Sequence, residues 1–597
     1  MDVQATAALV APVSVLHTLA ALLNSIAILL SAAGPIKGKS LGHPGLTSCF
    51  VESTRNTAMS RERKSVLADQ QRGSTFDALS WPLLKKPESR RGSLSPPQDI
   101  PRLQRDYIDI IPETWTTISI ALSDSREELS ITKLQAGHSP FVLRLPLGRN
   151  NSIDADEEVF GFEQGHSELM EIIELANQSA HNGGSMTGRE AKAAWWEERE
   201  GLDARLKDLL DNIEKVWLGG FKGIFSQAAR RPDLLARFQK SFQNTLDKFL
   251  PSRQKVGRKA KSPRVTLDTR ILDLFIGLGD ASVEGTDLDE PLNDLLYFVV
   301  DILQFHGELN AYAEIDFDSI VIEIHDALRC YHEAVHASAD SDENRHTILI
   351  LDKALHSFPW ESLPCMEGLA VSRLPSLASL RDRIEELEKD LPEDGPNGQY
   401  ISRGHGAYIL NPGGDLKSTQ ATFQKELQGL DGWDGVVKRE PTEDEMRSSL
   451  ENKELFLYFG HGSGAQYIRA REIRKMEKCA VTMLMGCSSG ALVEAGEFEP
   501  YGPPINYMHA GCPALVATLW DVTDKDIDRF AKSTFEHWGL FADGSPAVPK
   551  GRGRKRVEVA EAKRSLVEAV ARGKEACNLR YLNGAAVCVY GVPVYFK

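Results

Sequence analysis

The sequence predicts an α/β protein whose mostly parallel sheet is flanked by helices. Three observations support this: apolar runs rich in β-branched residues, helical patterns between them, and Gly- or Asp-rich loops directly after the most informative runs. The chain has 597 residues, and a single core rarely grows past ~250–300 residues, so two or three domains are expected. We divide the chain into residues 1–104, 105–340 and 341–597.

The first region combines an apolar segment with a stretch of linker-like composition. Val13–Ala33 carries no charge and is long enough to cross a bilayer. Polar residues such as His17 and Asn24 interrupt it, so a buried helix of a helical array is favoured, with a membrane span and a targeting peptide as alternatives. If Val13–Ala33 is a helix of such an array, the neighbouring helices are missing, and this chain would be the end of a longer protein. From Gly34 to about Arg105 the composition predicts a flexible linker.

The second region mixes strand and helix signals. Its predicted strands are Trp115–Leu122, Phe141–Leu145 and Ile271–Leu278. Between Gly165 and about Phe249 apolar residues recur at helical spacing, with a helix stop at Gly219-Gly220. The basic stretch Pro251–Arg264 is interpreted as a solvated, mobile linker, with a partner-docking patch as the alternative. Leu292–Phe305 is predicted to be a helix.

The third region alternates strands with helices and so predicts parallel strand pairing. Its predicted strands are Thr347–Leu351, Ala370–Leu374, Gly406–Leu410, Val436–Lys438, Glu454–Phe459, Ala480–Met485, Pro513–Leu519 and Ala585–Phe596. Its predicted helices are Ser418–Leu427, Thr442–Leu450 and Val559–Arg572. Thr442 and Glu445 fit a capping box.

Two of these strands run into glycine-rich loops that carry a histidine and a cysteine. His461 follows Glu454–Phe459, and Cys487 follows Ala480–Met485. Because parallel strands deliver their carboxyl ends to one edge, an imidazole and a thiol should converge there. A thiolate is a strong nucleophile and an imidazole can act as acid or base, while the N–H groups of Gly462 and Cys487 could stabilise an oxyanion.

Each of these residues alone has an ordinary structural explanation. A cysteine after an apolar strand is usually a small buried side chain, and a histidine among glycines is often a turn residue. Their occurrence at the ends of two such strands is what favours catalysis by His461 and Cys487.

A third strand end, after Pro513–Leu519, carries an acidic loop. It begins at Trp520 and contains four carboxylates: Asp521, Asp524, Asp526 and Asp528. At least one carboxylate should serve a helix N-terminus, with Asp524 as the N-cap. Four exceed what one cap needs, so the loop could also form an acidic pocket for a cationic side chain, most plausibly Arg.

Composition excludes several classes of function. Lys and Arg number 69 against 85 Asp and Glu, giving a formal charge of -16, which argues against nucleic acid as the main ligand and permits a basic substrate or partner. The eight cysteines are scattered, which disfavours a disulfide framework or a zinc ribbon and favours the reducing cytosol or nucleus. His405, His461, Cys479 and Cys487 lack metal-ligand spacing, so neither a metal nor another cofactor is expected.

The motifs resemble those of separase, a caspase-like cysteine endopeptidase that opens cohesin at anaphase. The resemblance rests on ELFLYFGHGSGAQYI, TMLMGCSSGAL, EFEPYG and INYMHAGCPALVATLWDVTDKDIDRF, with LDKALHSFPWESLPCMEGLAVSRLPSL upstream. It is strong over about Asn344–Lys597 and plausible back to about Tyr107. It implies a caspase-like catalytic domain at 341–597, preceded at 105–340 by a degenerate, pseudo-protease-like domain with a helical insertion.

The resemblance also implies an activity and partners. His461 and Cys487 would be a catalytic dyad in which the histidine protonates the leaving amine. Cleavage would follow Arg in an acidic-x-x-Arg motif of the kleisin subunit of cohesin, with Asp521, Asp528 and Trp520 at the Arg pocket. Securin would inhibit as a pseudosubstrate, and the protein would act in the nucleus and cytoplasm without a membrane partner.

Two alternatives stay open: a catalytically inactive scaffold of the same fold, and another Arg-specific caspase-fold protease. Some family members cut themselves. Glu88–Arg91 matches the Glu-x-x-Arg pattern and lies in the linker-like stretch, so Arg91 is a candidate self-cleavage site.

Overall fold

The computed structural model describes residues 44–71, 100–149, 160–182, 188–254, 265–337, 344–387, 395–496, 498–541 and 564–597, with isolated positions 12, 15, 16, 18, 19, 22 and 392. Most of Val13–Ala33 and all of Glu88–Arg91 lie outside these residues, so the predictions for both segments stay untested. No helix within the described part of the chain is long and apolar enough to cross a membrane.

The strands and helices alternate through most of the described chain. The strands are β1 Trp115–Leu122, β2 Glu128–Leu134, β3 Phe141–Pro146, β4 His346–Leu351, β5 Val371–Arg373, β6 Gln399–Ile401, β7 Gly406–Leu410, β8 Asp434–Val437, β9 Leu455–Phe459, β10 Val481–Met485, β11 Val493–Ala495, β12 Phe498–Tyr501, β13 Ala514–Thr518, β14 Val587–Gly591 and β15 Val594–Phe596. The helices are α1 Pro44–Gln71, α2 Ile100–Leu103, α3 Phe162–Asn182, α4 Arg189–Asn212, α5 Pro232–Phe249, α6 Thr269–Ile276, α7 Asp289–Phe305, α8 Phe317–His336, α9 Leu377–Leu387, α10 Lys417–Gln428, α11 Glu443–Glu451, α12 Ala470–Arg474, α13 Pro503–His509, α14 Asp524–Trp538 and α15 Leu566–Gly573.

Eleven of these strands form one sheet, in the order β3-β2-β1-β4-β5-β14-β13-β10-β9-β7-β8. We call β3 to β14 in that order the first half and β13 to β8 the second half. Strands β1, β4, β5 and β14 are mutually parallel, and so are the strands of the second half, whereas β13 and β14 pair antiparallel. The carboxyl ends of the second half therefore share one edge, the site edge, with the amino ends of β1, β4, β5 and β14.

The predicted fold class, a mixed α/β protein with a large, mostly parallel sheet and flanking helices, is confirmed. Strands β9, β10 and β13 are buried at every residue, as expected for parallel strands covered on both faces. The proposed domain boundary at 340/341 stays a prediction. Strand β1 precedes this boundary and β4 follows it, and the two strands pair directly in the same sheet. The predicted capping box at Thr442 and Glu445 is present at the start of α11.

A buried ion pair lies within the first half, on β5, the strand next to β14. Arg373, on β5, donates through Nε and Nη2 to the carboxylate of Glu361 at 2.6 and 2.7 Å, and its remaining donors reach the carbonyls of His356 and Phe358 at 2.7 Å. Both charged side chains are almost completely removed from solvent. The bidentate geometry satisfies the guanidinium within the core and fixes the loop after β4 against the centre of the sheet.

Two predictions about secondary structure are wrong. Ile271–Leu278 is not a strand: α6 covers Thr269–Ile276, and the Asp268 side chain caps it by accepting from Arg270 N at 2.9 Å. An apolar run of this length cannot be assigned by periodicity alone. The closing segment Ala585–Phe596 forms two strands, β14 and β15, rather than one.

The prediction of a flexible linker is wrong for Pro44–Gln71, which forms α1. This helix buries polar groups against the sheet and α9. The hydroxyl of Ser119 donates to Glu52 at 2.5 Å, Arg55 donates to the Ile350 carbonyl at 3.2 Å, and Ala378 N donates to Asn56 at 2.8 Å. Most of the described buried residues of α1 are polar, and only Met59 and Val66 add large apolar side chains, so the sequence pattern does not reveal an amphipathic helix.

Candidate active site

The register of β9 and β10 brings His461 and Cys487 to matching positions at the site edge. Phe459 pairs directly with Met485, the last residue of each strand. His461 lies two residues beyond Phe459 and Cys487 two residues beyond Met485. Because paired strands lie about 4.8 Å apart, β9 and β10 bring these two residues to neighbouring positions at the site edge.

Glycines let the two loops touch. A Cβ at Gly486 would overlap the carbonyl oxygens of Gly460 and Gly462, so only glycine permits this approach. Gly462 has a φ of +61°, a left-handed conformation that favours glycine. Among the described residues, the amides of Gly462 and Cys487 donate to no backbone carbonyl, so both are available to a bound ligand.

The Cys487 thiol is largely buried and lies against the next loop. Its Sγ–H donates to the Val522 carbonyl at 3.3 Å. Burial raises the pKa of Cys487, and the carboxylates of Asp521 and Asp524 raise it further. The thiol is therefore protonated at neutral pH, so a reaction through Cys487 needs a base at the moment of attack.

His461 is exposed and is held by a carboxylate that the sequence analysis missed. Its Nε2 lies 2.6 Å from Asp415 Oδ2, and this hydrogen bond is the main cause of a lowered pKa of Asp415. Asp415 follows β7, the neighbour of β9, at the same edge. The loop after a third parallel strand was the available signal, and its glycine-rich sequence suggested only a turn.

The four carboxylates of the acidic loop have separate environments. Asp524 is the first residue of α14, and Thr523 rather than Asp524 occupies the N-cap, so that prediction is off by one residue. Asp526 is fully buried and accepts from the backbone N–H groups of Asn578 and Leu579, each at 3.1 Å. These two carboxylates start the helix and anchor a neighbouring turn.

Asp521 lies beside the cysteine. Its Oδ1 accepts from the hydroxyl of Ser488, the residue after Cys487, at 2.5 Å, and its backbone N–H donates to Asn177 Oδ1 at 3.0 Å. Its Oδ2 is 3.5 Å from His181 Nε2. Asn177 and His181 belong to α3, so this helix reaches the site edge. No local sequence pattern indicates this contact.

Asp528 is buried with only one oxygen satisfied. Thr419 donates to its Oδ2 at 2.9 Å, while Oδ1 has no hydrogen-bond partner among the described residues. Burial raises the pKa of Asp528 to about 7. Thr419 is one turn beyond Asp415, so Asp528 lies near the residue that holds His461.

Trp520 is a core residue. Its indole is almost completely buried and donates from Nε1 to the Leu582 carbonyl at 2.8 Å. Trp520 can therefore affect a pocket through the position of the Asp521 loop. The roles predicted for Trp520, Asp521, Asp528, His461, Gly462 and Cys487 stay predictions.

The chain is similar to separins over most of its length. The family model described as "Separin, protease domain" matches residues 124–527. The separin of Emericella nidulans is 51% identical over 545 residues, which are 91% of this chain and 25% of that protein. The separin of Schizosaccharomyces pombe is 45% identical over 501 residues, which are 83% of this chain and 26% of that protein.

The fold is similar to a solved structure. The crystal structure of the Saccharomyces cerevisiae separase–securin complex at 2.6 Å resolution matches with a TM-score of 0.79 and 28% sequence identity, over 98% of this chain and 36% of that one. The chain thus spans about a quarter of the length of the curated relatives it matches.

Proposed function

The chain belongs to the separin family, and from that premise we propose that it is a cysteine endopeptidase that cleaves after Arg. It carries the separase-type protease domain of that family. The observation that carries the proposal is the matched register of β9 and β10, which delivers His461 and Cys487 to one edge of one sheet.

In the proposed reaction, Cys487 Sγ attacks the scissile carbonyl and its proton passes to His461. The oxyanion accepts hydrogen bonds from the amides of Gly462 and Cys487. His461 then donates the proton to the leaving amine, and a thioester to Cys487 remains. Water hydrolyses this thioester and returns the proton to the thiol by way of His461.

Selection for Arg rests on Asp528 and Asp521. The unpartnered Asp528 oxygen is costly in an empty site and would be satisfied by a guanidinium N–H. Asp521, beside Cys487, is close enough to the nucleophile to raise the pKa of its thiol. The carboxylate of Asp521 and the unpartnered oxygen of Asp528 would suit the fork of donors on an Arg side chain.

The substrate and partners belong to the same proposal. We infer that the whole protein cuts the kleisin subunit of cohesin at an acidic-x-x-Arg motif, in the nucleus and cytoplasm. Securin would bind as a pseudosubstrate, by analogy with the yeast separase–securin complex. Self-cleavage after Arg91 stays a prediction.

The proposal is tested with peptides in which Glu and Arg are three residues apart. Wild-type chain should cleave after Arg, Cys487→Ser and His461→Ala should not, and Cys330→Ser, at an exposed cysteine of α8, should cleave normally. A peptide ending in Arg with a thiol-reactive warhead should label Cys487 alone. Activity of Cys487→Ser would refute the nucleophile, and continued cleavage after Arg→Glu exchange in the peptide would refute the acidic pocket.

The alternatives predict different results. An inactive scaffold would neither cleave nor be labelled at Cys487. A caspase-fold protease of other specificity would be labelled at Cys487, yet it would cut Arg peptides equally well with and without the upstream Glu.

A further inference from the structure

The helical insertion contains a segment of one charge sign. Ile271–Leu328 has 14 Asp and Glu residues and neither Lys nor Arg. The whole chain has a formal charge of -16, so this segment holds almost all of it and the rest of the chain is nearly balanced. Six of these carboxylates pair with Arg or Lys outside the segment, whereas Asp301, Glu314, Asp316 and Asp318 form no ion pair with Arg or Lys of the described residues. A local field of one sign selects partners of the opposite charge.

Helix α7, inside this segment, is apolar on two faces. One face packs into the core through Leu292, Leu295, Leu296, Val299, Val300 and Leu303. The other places Tyr297, Asp301 and Phe305 four residues apart, hence on one stripe, and Tyr297 and Phe305 are 47% and 65% exposed. A surface helix normally turns polar residues to solvent, so this stripe is typical of a helix with a second contact.

Neighbouring rings widen the stripe into a surface. Tyr297 stacks on Phe317 with ring centroids 4.5 Å apart and lies 5.8 Å from Tyr312, and the Tyr312 hydroxyl donates to Asp301. We call Tyr297, Asp301, Phe305, Tyr312 and Phe317 the acidic aromatic face. A groove of about 1060 Å³ adjoins this face at Tyr297 and Asp301. Arg144, Arg149, Lys215 and Lys222 also line that groove, so a basic ligand is expected on the face itself and not inside the groove.

We propose that the acidic aromatic face docks a basic segment of a partner protein, in which Arg side chains alternate with aliphatic ones. Ring faces attract guanidinium groups and carboxylates pair with them, while the exposed apolar area takes the aliphatic side chains. Nucleic acids and anionic membrane surfaces would be repelled by the same charge. This surface is separate from the strand ends that carry His461 and Cys487, so the docking proposal does not depend on the proposed catalysis.

The binding test uses the full chain with Cys487→Ser, so that Arg peptides are not cut, together with a fluorescent peptide of repeated Arg-Leu-Arg-Gly units and a length-matched peptide of Arg-Ser-Arg-Gly units. The first should bind the full chain more tightly than the second. Phe305→Ala should weaken its binding by about tenfold, as expected at an apolar contact centre. The matched control is Phe498→Ala, at a similarly exposed ring on β12, and it should change nothing.

Three results would overturn the proposal. Equal binding of the two peptides would show attraction by bulk charge only. An equal effect of Phe305→Ala and Phe498→Ala would exclude the face. The basic stretch after Arg253 is a competing occupant, because Arg253 and Val265, which flank it, both bind Glu308. If exchanging Lys255, Arg258, Lys259 and Lys261 for Gln raises peptide affinity severalfold, the occupant is this chain's own loop and not a partner.

Discussion

The two halves of the sheet present opposite ends of their strands at the site edge. The second half presents carboxyl ends, and the loops that follow β7, β9, β10 and β13 supply Asp415, His461, Cys487 and Asp521. The first half presents the amino ends of its parallel strands, and it reaches the same edge with α3 instead, through Asn177 and His181. The candidate reacting groups therefore come from strand ends in one half, and an inserted helix of the other half contacts one of their loops.

This difference teaches that strand direction decides which half can hold the reacting groups. Functional loops of parallel sheets gather at carboxyl ends. Reversal of direction between β13 and β14 turns the carboxyl ends of β1, β4, β5 and β14 to the opposite edge. The contribution of the first half should therefore appear as stability and positioning, and changes in it should be distinguishable from changes at the strand ends.

The largest effect on stability is expected at the buried Arg373–Glu361 pair of the first half. Arg373→Met leaves the Glu361 carboxylate buried without its bidentate partner, and breaking such a pair costs about 3–5 kcal/mol of unfolding free energy. Urea unfolding measures this loss. The control Arg126→Met removes an exposed pair with Glu163 and should cost at most about 1 kcal/mol. Equal midpoints for the two variants would mean that the buried pair stabilises the first half no more than an exposed pair does.

Asp528→Asn should separate stability from function within the second half. Because the pKa of Asp528 is raised to about 7 in the folded protein, the unfolded chain releases this proton at lower pH. The carboxyl therefore destabilises the fold increasingly as pH rises from about 4 to 7. The variant should melt about 2–4 °C higher than wild type at pH 8 and at the same temperature near pH 4.

Cleavage after Arg should fall about a hundredfold in Asp528→Asn, because one carboxylate of the pocket is lost. Thr419 can still donate to the Asn oxygen, so the variant should keep the fold of the wild-type chain and the two activities can be compared directly. A stabilised variant with full activity would assign Asp528 to the core and exclude it from the pocket.

The second half was more predictable from sequence than the first. Strands β7, β9, β10 and β13 were placed to within two residues, because uninterrupted apolar runs end at glycine- or Asp-rich loops. His461 and Cys487 follow from that pattern. Asp415 did not, since a turn and a functional loop have the same composition.

Contacts distant in sequence were not predictable. Asn177 and Asp521 are separated by 344 positions, and nothing local marks either residue as a partner of the other. Helix α1 was not predicted because charged residues, Glu52 and Arg55, lie on its buried face. Their burial becomes understandable only from their partners on the sheet, so the sequence alone favoured a linker.

Asn177→Ala tests whether the first half positions the catalytic loop. The change removes the acceptor of the Asp521 backbone N–H, so the loop beside Cys487 should lose its fixed position. We expect kcat/KM for Arg peptides to fall about tenfold, as for small misplacements of reacting groups. Gln178→Ala, at the next and exposed position of α3, is the control and should leave kcat/KM unchanged. Equal activity of both variants would limit the insertion to folding.

The smallest expected effect concerns the thiol itself and separates charge from position. Asp521→Asn removes a carboxylate that raises the pKa of Cys487 but keeps the backbone bond to Asn177. The pKa of Cys487 should fall, so at pH 8 the thiolate fraction and the rate of iodoacetamide alkylation should rise about two- to threefold. Mass mapping of Cys487, with the exposed Cys330 as internal reference, measures this rate. Asn177→Ala keeps the carboxylate, so it should leave alkylation unchanged while it lowers cleavage. If Asn177→Ala accelerates alkylation as much as Asp521→Asn does, the insertion controls the thiol through access, and the division between chemistry in one half and positioning in the other fails.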